Sequence, residues 1–203
     1  MSYMSCFICN ENGVYSCSIC GRTICPNHAR FSIICTKCLK KRRSVEYAIR
    51  ESKPEDSEII GELVKRFWGE EIQETFGIKF RVRELPAFLA TVQGKIIGFL
   101  SFFELNRKDM LIVVLGVLPE YQGIGIGKTL LQAVEDKARK LSKEKLLVST
   151  SNDDLPALAF YQLNGFQIYE VIPDAISRKH GEILLGISRI PIRDEIRLRK
   201  LIA

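Results

Sequence analysis

The chain has 203 residues, 46% of them hydrophobic and 27% charged, with a net charge of +6. That length suits one domain of about 150 residues with a small appendage, and the composition is ordinary for a soluble globular protein. No apolar run approaches the roughly 20 residues of a membrane helix, and the start "MSYMSCFICN" lacks the basic-then-apolar pattern of a secretory leader, so a cytoplasmic protein is expected.

All seven cysteines lie between Cys6 and Cys38. Residues 1–44 hold seven Lys/Arg and one acidic residue, whereas residues 45–203 hold 23 of each, so the whole positive excess sits on the first part. Two modules are expected: a finger over 1–40, a basic linker over 41–45 and a larger domain over 46–203.

In the first module Cys6, Cys9, Cys17, Cys20, Cys25, His28, Cys35 and Cys38 form four pairs, each with two intervening residues. That spacing lets a tight turn aim two side chains at one ion, and eight ligands make two tetrahedral zinc sites. So short a segment cannot bury a self-sufficient core, and metal binding would supply much of its folding energy. A disulfide framework fits less well, because the cysteine count is odd and the eighth position is a histidine; an iron–sulfur cluster ranks below both. The order of pairs resembles cross-brace fingers of the B-box kind. That resemblance implies one structural zinc at Cys6, Cys9, Cys25 and His28 and another at Cys17, Cys20, Cys35 and Cys38; sequential pairing stays open. The run Lys37–Arg43 is either a solvated linker or a contact for nucleic acid or an acidic protein.

In the larger domain a strand is expected near Glu46–Arg50. A helix follows over Pro54–Trp68, with Pro-Glu-Asp in its first turn and apolar residues at helical spacing. A short helix is expected over Glu70–Phe76. Gln93-Gly94-Lys95 joins two apolar runs as a hairpin, and Asn106–Asp109 turns into the buried strand "MLIVVLGVL". A helix spans Gly125–Leu141, "KLLVSTS" is a strand, "PALAFYQLNG" a helix and "FQIYEV" a strand. "PIRDEIRLRK" alternates as one closing strand with a wet face. The fold class is α+β, with a mixed, mostly antiparallel sheet flanked by helices.

The stretch Val117–Glu135, "VLPEYQGIGIGKTLLQAVE", is the most informative. A Walker A loop would need glycine where Gln122 stands, and a dinucleotide fingerprint would need glycine where Lys128 stands, so neither nucleotide motif fits. Consecutive N–H groups from Gln122 to Lys128, at a helix start, do make an anion nest. Gln122-Gly123-Ile124-Gly125-Ile126-Gly127 resembles the Gln/Arg-x-x-Gly-x-Gly/Ala signature of the GNAT acyl-CoA N-acyltransferase superfamily. Ser151–Phe166, with its Asn/Asp loop and "FYQLNGF", resembles that family's second landmark. "YAIRESKPED" resembles its usual opening, and "RIPIRDEI" a closing signature of one subgroup.

The resemblance covers about Val45–Lys200 and implies acetyl-CoA as cosubstrate, with direct transfer of the acetyl group to an amine. It places the coenzyme on Leu115, Gly116 and Val117, on Gln122 to Lys128, and on Asn152 and Asp154. Gly116 is a candidate for the β-bulge that opens the sheet, against a simple relief of crowding. Tyr161 matches the family's proton donor to the leaving thiolate, with core packing as the alternative. Val117 N–H is the natural oxyanion donor. "MLIVVLGV" carries no glutamate for the base, and Glu104 on the preceding strand takes that role here, against a plain surface charge. Domain 46–203 contains no cysteine, which excludes a Cys-acyl intermediate. His180 fits a surface loop. Glu70, Glu71 and Glu74 are either a solvated face or an attraction for a cationic acceptor, which is a protein or a small molecule. The alternative is a catalytically weak acetyl-CoA-binding regulatory or nucleic-acid-associated protein.

Overall fold

The computed structural model describes residues 5–11, 15–16, 22–25, 28, 37, 45–186 and 190–202, with backbone alone at 15–16. The chain divides into two compact units, Met1–Glu46 and Tyr47–Ala203. In the first, β1 (Tyr15–Ser16) pairs antiparallel with β2 (Thr23–Ile24). Cys6, Ile24 and Cys25 are buried together, with Phe7 and Ile8 packed on them. Cys17, Cys20, Cys35, Cys38 and most of the basic run lie outside the described residues.

The second unit is built on a seven-stranded sheet. Its strands are β3 (Ala48–Glu51), β6 (Ala87–Val92), β7 (Lys95–Glu104), β8 (Asp109–Val117), β9 (Lys145–Ser151), β10 (Gln167–Ile172) and β13 (Glu195–Leu201), in the order β10-β13-β9-β8-β7-β6-β3. Every neighbouring pair is antiparallel except β8 and β9. Helix α1 (Ser57–Trp68) follows β3. It buries Ile60, Leu63 and Val64, the residues its 3.6-residue period turns to the sheet, and ends at Gly69 in the left-handed region. Its start is tied to β3: Asp56 accepts two bonds from the Arg50 guanidinium, at 2.6 and 2.7 Å, and one from Lys53 N–H. Arg50 beside it holds the Asp56 carboxyl at about 2.

Helix α2 (Ile126–Lys140) crosses between β8 and β9, and α3 (Leu155–Leu163) between β9 and β10. A short α4 (Ala175–His180) and the β11–β12 hairpin (Leu184–Leu185, Pro191–Ile192) precede β13. None of these was expected as a separate element. "PIRDEIRLRK" therefore splits, its first residues pairing with β11 and the rest forming β13. A second departure is the stretch read as a short helix over Glu70–Phe76. It is the first arm of a hairpin, β4 (Ile72–Thr75) with β5 (Ile78–Arg81). Phe76 and Gly77 close it with φ of +55 and +71, the signs of a type I′ turn. Phe-Gly lacks the Asn or Asp that usually marks such turns.

Candidate functional site

The sheet opens in its middle. β8 pairs with β9 only over Asp109–Ile112, opposite Lys145–Val148, although β8 runs on to Val117 and β9 to Ser151. The cause lies on the other edge of β8. Val114 faces Ser101 and Ile112 faces Phe102, leaving Val113 as the extra residue of a β-bulge. A bulge bends its strand and sharpens its twist, and β8 departs from β9 at that residue. The bulge is thus at Val113 rather than Gly116. Gly116 keeps regular register with Phe99, and it is there for space: a Cβ would stand 2.9 Å from the Phe67 ring.

Beyond the bulge β8 presents free main chain. Leu118 N–H donates to Ile97 O at 2.9 Å, so by alternation Leu115 and Val117 turn their amides to the open edge and Gly116 turns its own into the β7 ladder. The Gln122 side-chain amide donates to the Val117 carbonyl at 2.9 Å, fastening the next loop to the end of the strand.

In that loop a tight turn over Pro119–Tyr121 commits the Tyr121 and Gln122 N–H groups to the carbonyls of Leu118 and Pro119. The nest is therefore shorter than the sequence suggested. From Gly123 to Lys128 no N–H meets a carbonyl among the described residues. Gly123 and Gly125 have φ of +78 and +98, where only glycine sits without strain, and Gly125 is the N-cap of α2. Gly127 differs, since a Cβ there would make ordinary contact with Phe160 at 3.5 Å. The Gly-Lys-Thr that imitates a nucleotide loop has another use: the Thr129 hydroxyl bonds the Tyr47 hydroxyl at 2.8 Å and the Gly125 carbonyl at 3.3 Å.

A cavity of about 230 Å³ lies where the strands part. Val113 and Val114 line it from β8, and Ser149, Thr150 and Ser151 from β9. Trp68, the β4–β5 turn, α4 and Glu195 complete the wall, and Asp154 reaches it from the start of α3. The acids here differ in state. Burial works against charge on Glu195, but Phe76 N–H, the Ser149 hydroxyl and Arg197 outweigh it and hold the carboxyl below the usual glutamate range. Asp154 goes the other way: burial, aided by the charge of Asp153, lifts it above the usual aspartate range. Tyr161 is buried between Phe160 and Phe166, with ring centroids 5.2 and 5.3 Å away. Burial first, and the charge of Asp154 second, push its phenol above its ordinary value.

The remaining expected site residues fall elsewhere. Glu104 faces Met110 at the closed end of the β8–β9 pair and binds Lys143 Nζ at 2.8 Å; the structure does not bring it to the cavity. Asn152 is occupied by β12 and the turn after it, accepting from Arg193 and Asp194 N–H and donating to Pro191 O. Asp154 caps α3, accepting from Ala157 N–H at 3.0 Å, and lines the cavity as well. His180 is exposed at the end of α4. Glu71 is engaged by Arg83 and Lys65, while Glu74 reaches the cavity. Glu195 and the Phe76 turn went unread in the sequence. The faint signal for the turn was the glycine at 77 just ahead of Ile78-Lys79-Phe80, where apolar residues alternate.

In the first unit, Cys6, Cys9, Cys25 and His28 converge, their ligand atoms all within 4.8 Å of one another. Cys6 Sγ to His28 Nδ1 and Cys9 Sγ to Cys25 Sγ are both 3.7 Å, and Cys25 Sγ to His28 Nδ1 is 3.3 Å. Tetrahedral zinc with bonds of about 2.0–2.3 Å separates its ligand atoms by about 3.5–3.8 Å, which the two 3.7 Å spacings match and the Cys25–His28 spacing falls just short of. The three described cysteines are free of disulfides. Burial disfavours charge on Cys6, yet main-chain donors of Cys25, Ile8 and Cys9 lower its thiol, while that of Cys9, against a main-chain donor of Glu11, is pushed up by burial and the neighbouring Cys25 and Cys6 thiols. The Arg22 guanidinium and Lys37 Nζ each lie 5.0 Å from the centre of the Phe7 ring, a cation–π use for one residue of the basic run.

A mixed sheet parted at a bulge, with a glycine turn leading from the opened strand into a helix, defines an acetyltransferase-type domain. The family model described as "Acetyltransferase (GNAT) family" matches residues 47–166, and the chain belongs to that family. YdhI of Bacillus subtilis (strain 168), an uncharacterized protein, is 36% identical over 150 residues, covering 71% of this chain and 91% of that protein. The IAA acetyltransferase of Bacillus cereus ATCC 14579 superposes with a TM-score of 0.65 at 28% identity, over 77% of this chain and 99% of that one. A GNAT family acetyltransferase from Elizabethkingia anophelis, solved with acetyl-CoA bound, shares the fold with a TM-score of 0.58 at 22% identity, over 76% and 97% of the two chains. Among the described residues no helix is long and apolar enough to cross a membrane.

Proposed function

We propose that the protein is an N-acetyltransferase that moves the acetyl group of acetyl-CoA directly to an amine. The observation that carries this is a pair of free main-chain donor sets, at Leu115 and Val117 on the opened edge of β8 and from Gly123 to Lys128, separated only by the tight turn at Pro119–Tyr121. An extended pantetheine chain would pair with Leu115 as a missing strand does, leaving Val117 N–H for the thioester carbonyl, and the pyrophosphate would take the N–H groups from Gly123 to Lys128. That acetyl-CoA or CoA is bound in relatives of this fold supports the same reading.

In the transfer, the amine nitrogen attacks the thioester carbonyl carbon, and Val117 N–H faces the oxygen that gains charge. The new C–N bond forms as the C–S bond breaks. Tyr161, whose surroundings keep its phenol protonated, gives its proton to the departing sulfur. The proton lost by the amine goes to a carboxylate of the cavity. Asp154, rather than Glu104, takes that role in this reading; what supports it is that Asp154 lines the cavity and burial raises its carboxyl, while Glu195 is engaged by Arg197.

The Cys6, Cys9, Cys25 and His28 cluster would hold one structural zinc, and the cross-brace pattern gives the second to Cys17, Cys20, Cys35 and Cys38. The finger then serves as a recruiting module for substrate or partner. The test is release of coenzyme A thiol from acetyl-CoA over a panel of primary amines and basic peptides. Turnover with at least one amine is expected; tight binding of acetyl-CoA without turnover on any of them would favour a regulatory coenzyme-binding protein.

A further inference from the structure

The turn Thr75–Ile78 is fastened to the far side of the sheet more firmly than its own hairpin requires. Phe76 occupies the left-handed region, where a bulky side chain is uncommon and persists only if its surroundings over-determine it. Here β13 does so. Phe76 N–H donates to Glu195 Oε1 at 3.0 Å, and the Arg197 guanidinium lies over the Phe76 ring, 4.5 Å from its centre. Arg197 is itself bound to Glu195 at 2.9 Å and to Glu170 at 3.0 Å. The Thr75 and Ser149 hydroxyls share a 2.6 Å hydrogen bond beside them. The Gln93-Gly94 turn closing β6 and β7 has φ of +49 and +80, and among the described residues no side-chain hydrogen bond holds its main chain. The difference is location, because Thr75, Phe76, Ser149 and Glu195 all line the cavity.

We propose that Glu195 is a positioning residue for the acceptor site: with Arg197 it fixes Phe76, so that Trp68, Thr75 and Phe76 form a set wall for the apolar body of a primary amine. The acceptor half of this statement rests on the acetyltransferase reading above. The clamp itself does not. Glu195 holds its place by accepting a main-chain N–H and by pairing with a guanidinium, and both demand a fixed carboxylate rather than one that takes protons from substrate. Its depressed protonation agrees with that assignment.

The test uses the full chain and its sole tryptophan, Trp68, which lines the cavity. Hydrogen exchange is measured by mass spectrometry across residues 72–81, with and without acetyl-CoA, in the wild type, Glu195→Ala and Glu195→Gln. Exchange at the turn should be at least tenfold faster in Glu195→Ala. Glu195→Gln keeps an oxygen for Phe76 N–H and should recover part of the protection, which also covers the case in which the alanine variant fails to fold. Protection of residues 123–128 by acetyl-CoA should be the same in all three. Trp68 emission, titrated with phenethylamine and hexylamine in the presence of coenzyme A, should report binding in the wild type and at least fivefold weaker binding in Glu195→Ala. Unchanged exchange at the turn in both variants would overturn the clamp. No response of Trp68 to either amine in the wild type would overturn the acceptor half. Failure of acetyl-CoA to protect residues 123–128 would instead count against the transferase reading and leave the clamp standing.

Discussion

The two sides of the opened sheet are made of different material. On one side, from the end of β8 to the start of α2, the groups facing the opening are main-chain amides, and side chains matter there chiefly by being absent. On the other side the wall consists of individual side chains, Trp68, Phe76, Asp154 and Glu195, brought in from α1, the β4–β5 turn, the start of α3 and β13. A coenzyme is the same molecule in every turnover and can be held by backbone. An acceptor requires shape and charge, which only side chains supply. The two sides should therefore respond to substitution in different ways.

The largest effect is expected at the proposed proton donor. Tyr161→Phe should lower kcat by about 10²–10⁴, the usual worth of a positioned proton donor, with the KM for acetyl-CoA within about twofold. Because burial and Asp154 raise the phenol above its ordinary value, the protonated donor persists as pH rises, and no alkaline limb from Tyr161 should appear below about pH 10. A steady-state pH profile checks both statements.

On the main-chain side, Gly125→Val places a β-branched residue at φ +98. It should weaken acetyl-CoA binding at least tenfold by calorimetry while the core stays folded, since the strain of about 1–3 kcal/mol is local. Gly127→Ala is the contrasting change. A Cβ fits there, so binding should persist and stability should hold or rise by about 0.5 kcal/mol. Equal loss in both would break the distinction between a glycine required by conformation and one merely present in the motif.

Gly116→Ala probes packing instead, with a Cβ 2.9 Å from Phe67. Chemical denaturation should show a loss of about 1–3 kcal/mol from overpacking. Away from the opening, the Asp56–Arg50 pair gives a pH signature. The folded carboxyl at about 2 lies below its ordinary 3.8, so its contribution is complete above the ordinary value and is lost as pH falls from about 4 towards 2. With Arg50 37% exposed, that contribution is on the order of 1 kcal/mol, and Asp56→Asn should flatten the stability curve in that range.

The same division decides how much of the molecule was legible beforehand. The strand, glycine turn and helix at 110–140 are local, and their chemistry follows from consecutive residues. Helix α1 and the Gln93-Gly94 hairpin were equally readable, from period and turn chemistry. The Phe76-Gly77 hairpin was not, because its turn breaks the usual residue preference and is held by Glu195 and Arg197, over a hundred positions away. The bulge was misplaced for a related reason. A glycine in a strand signals either a bulge or crowding, and only the Phe67 ring over Gly116 separates the two. Glu104 stands on the strand that precedes β8 in the chain, but the sheet register puts it at the closed end. Cys6, Cys9, Cys25 and His28 meet as the resemblance to cross-brace fingers implies, whereas their spacing by itself leaves sequential pairing open.

The most direct measurement is calorimetric titration of acetyl-CoA into the purified chain and into Gly125→Val. Binding of one coenzyme per wild-type chain, with affinity reduced at least tenfold in the folded variant, is the predicted result. Absence of binding to the folded wild-type chain, or equal binding by both, would contradict a coenzyme cradle at Gly123–Lys128.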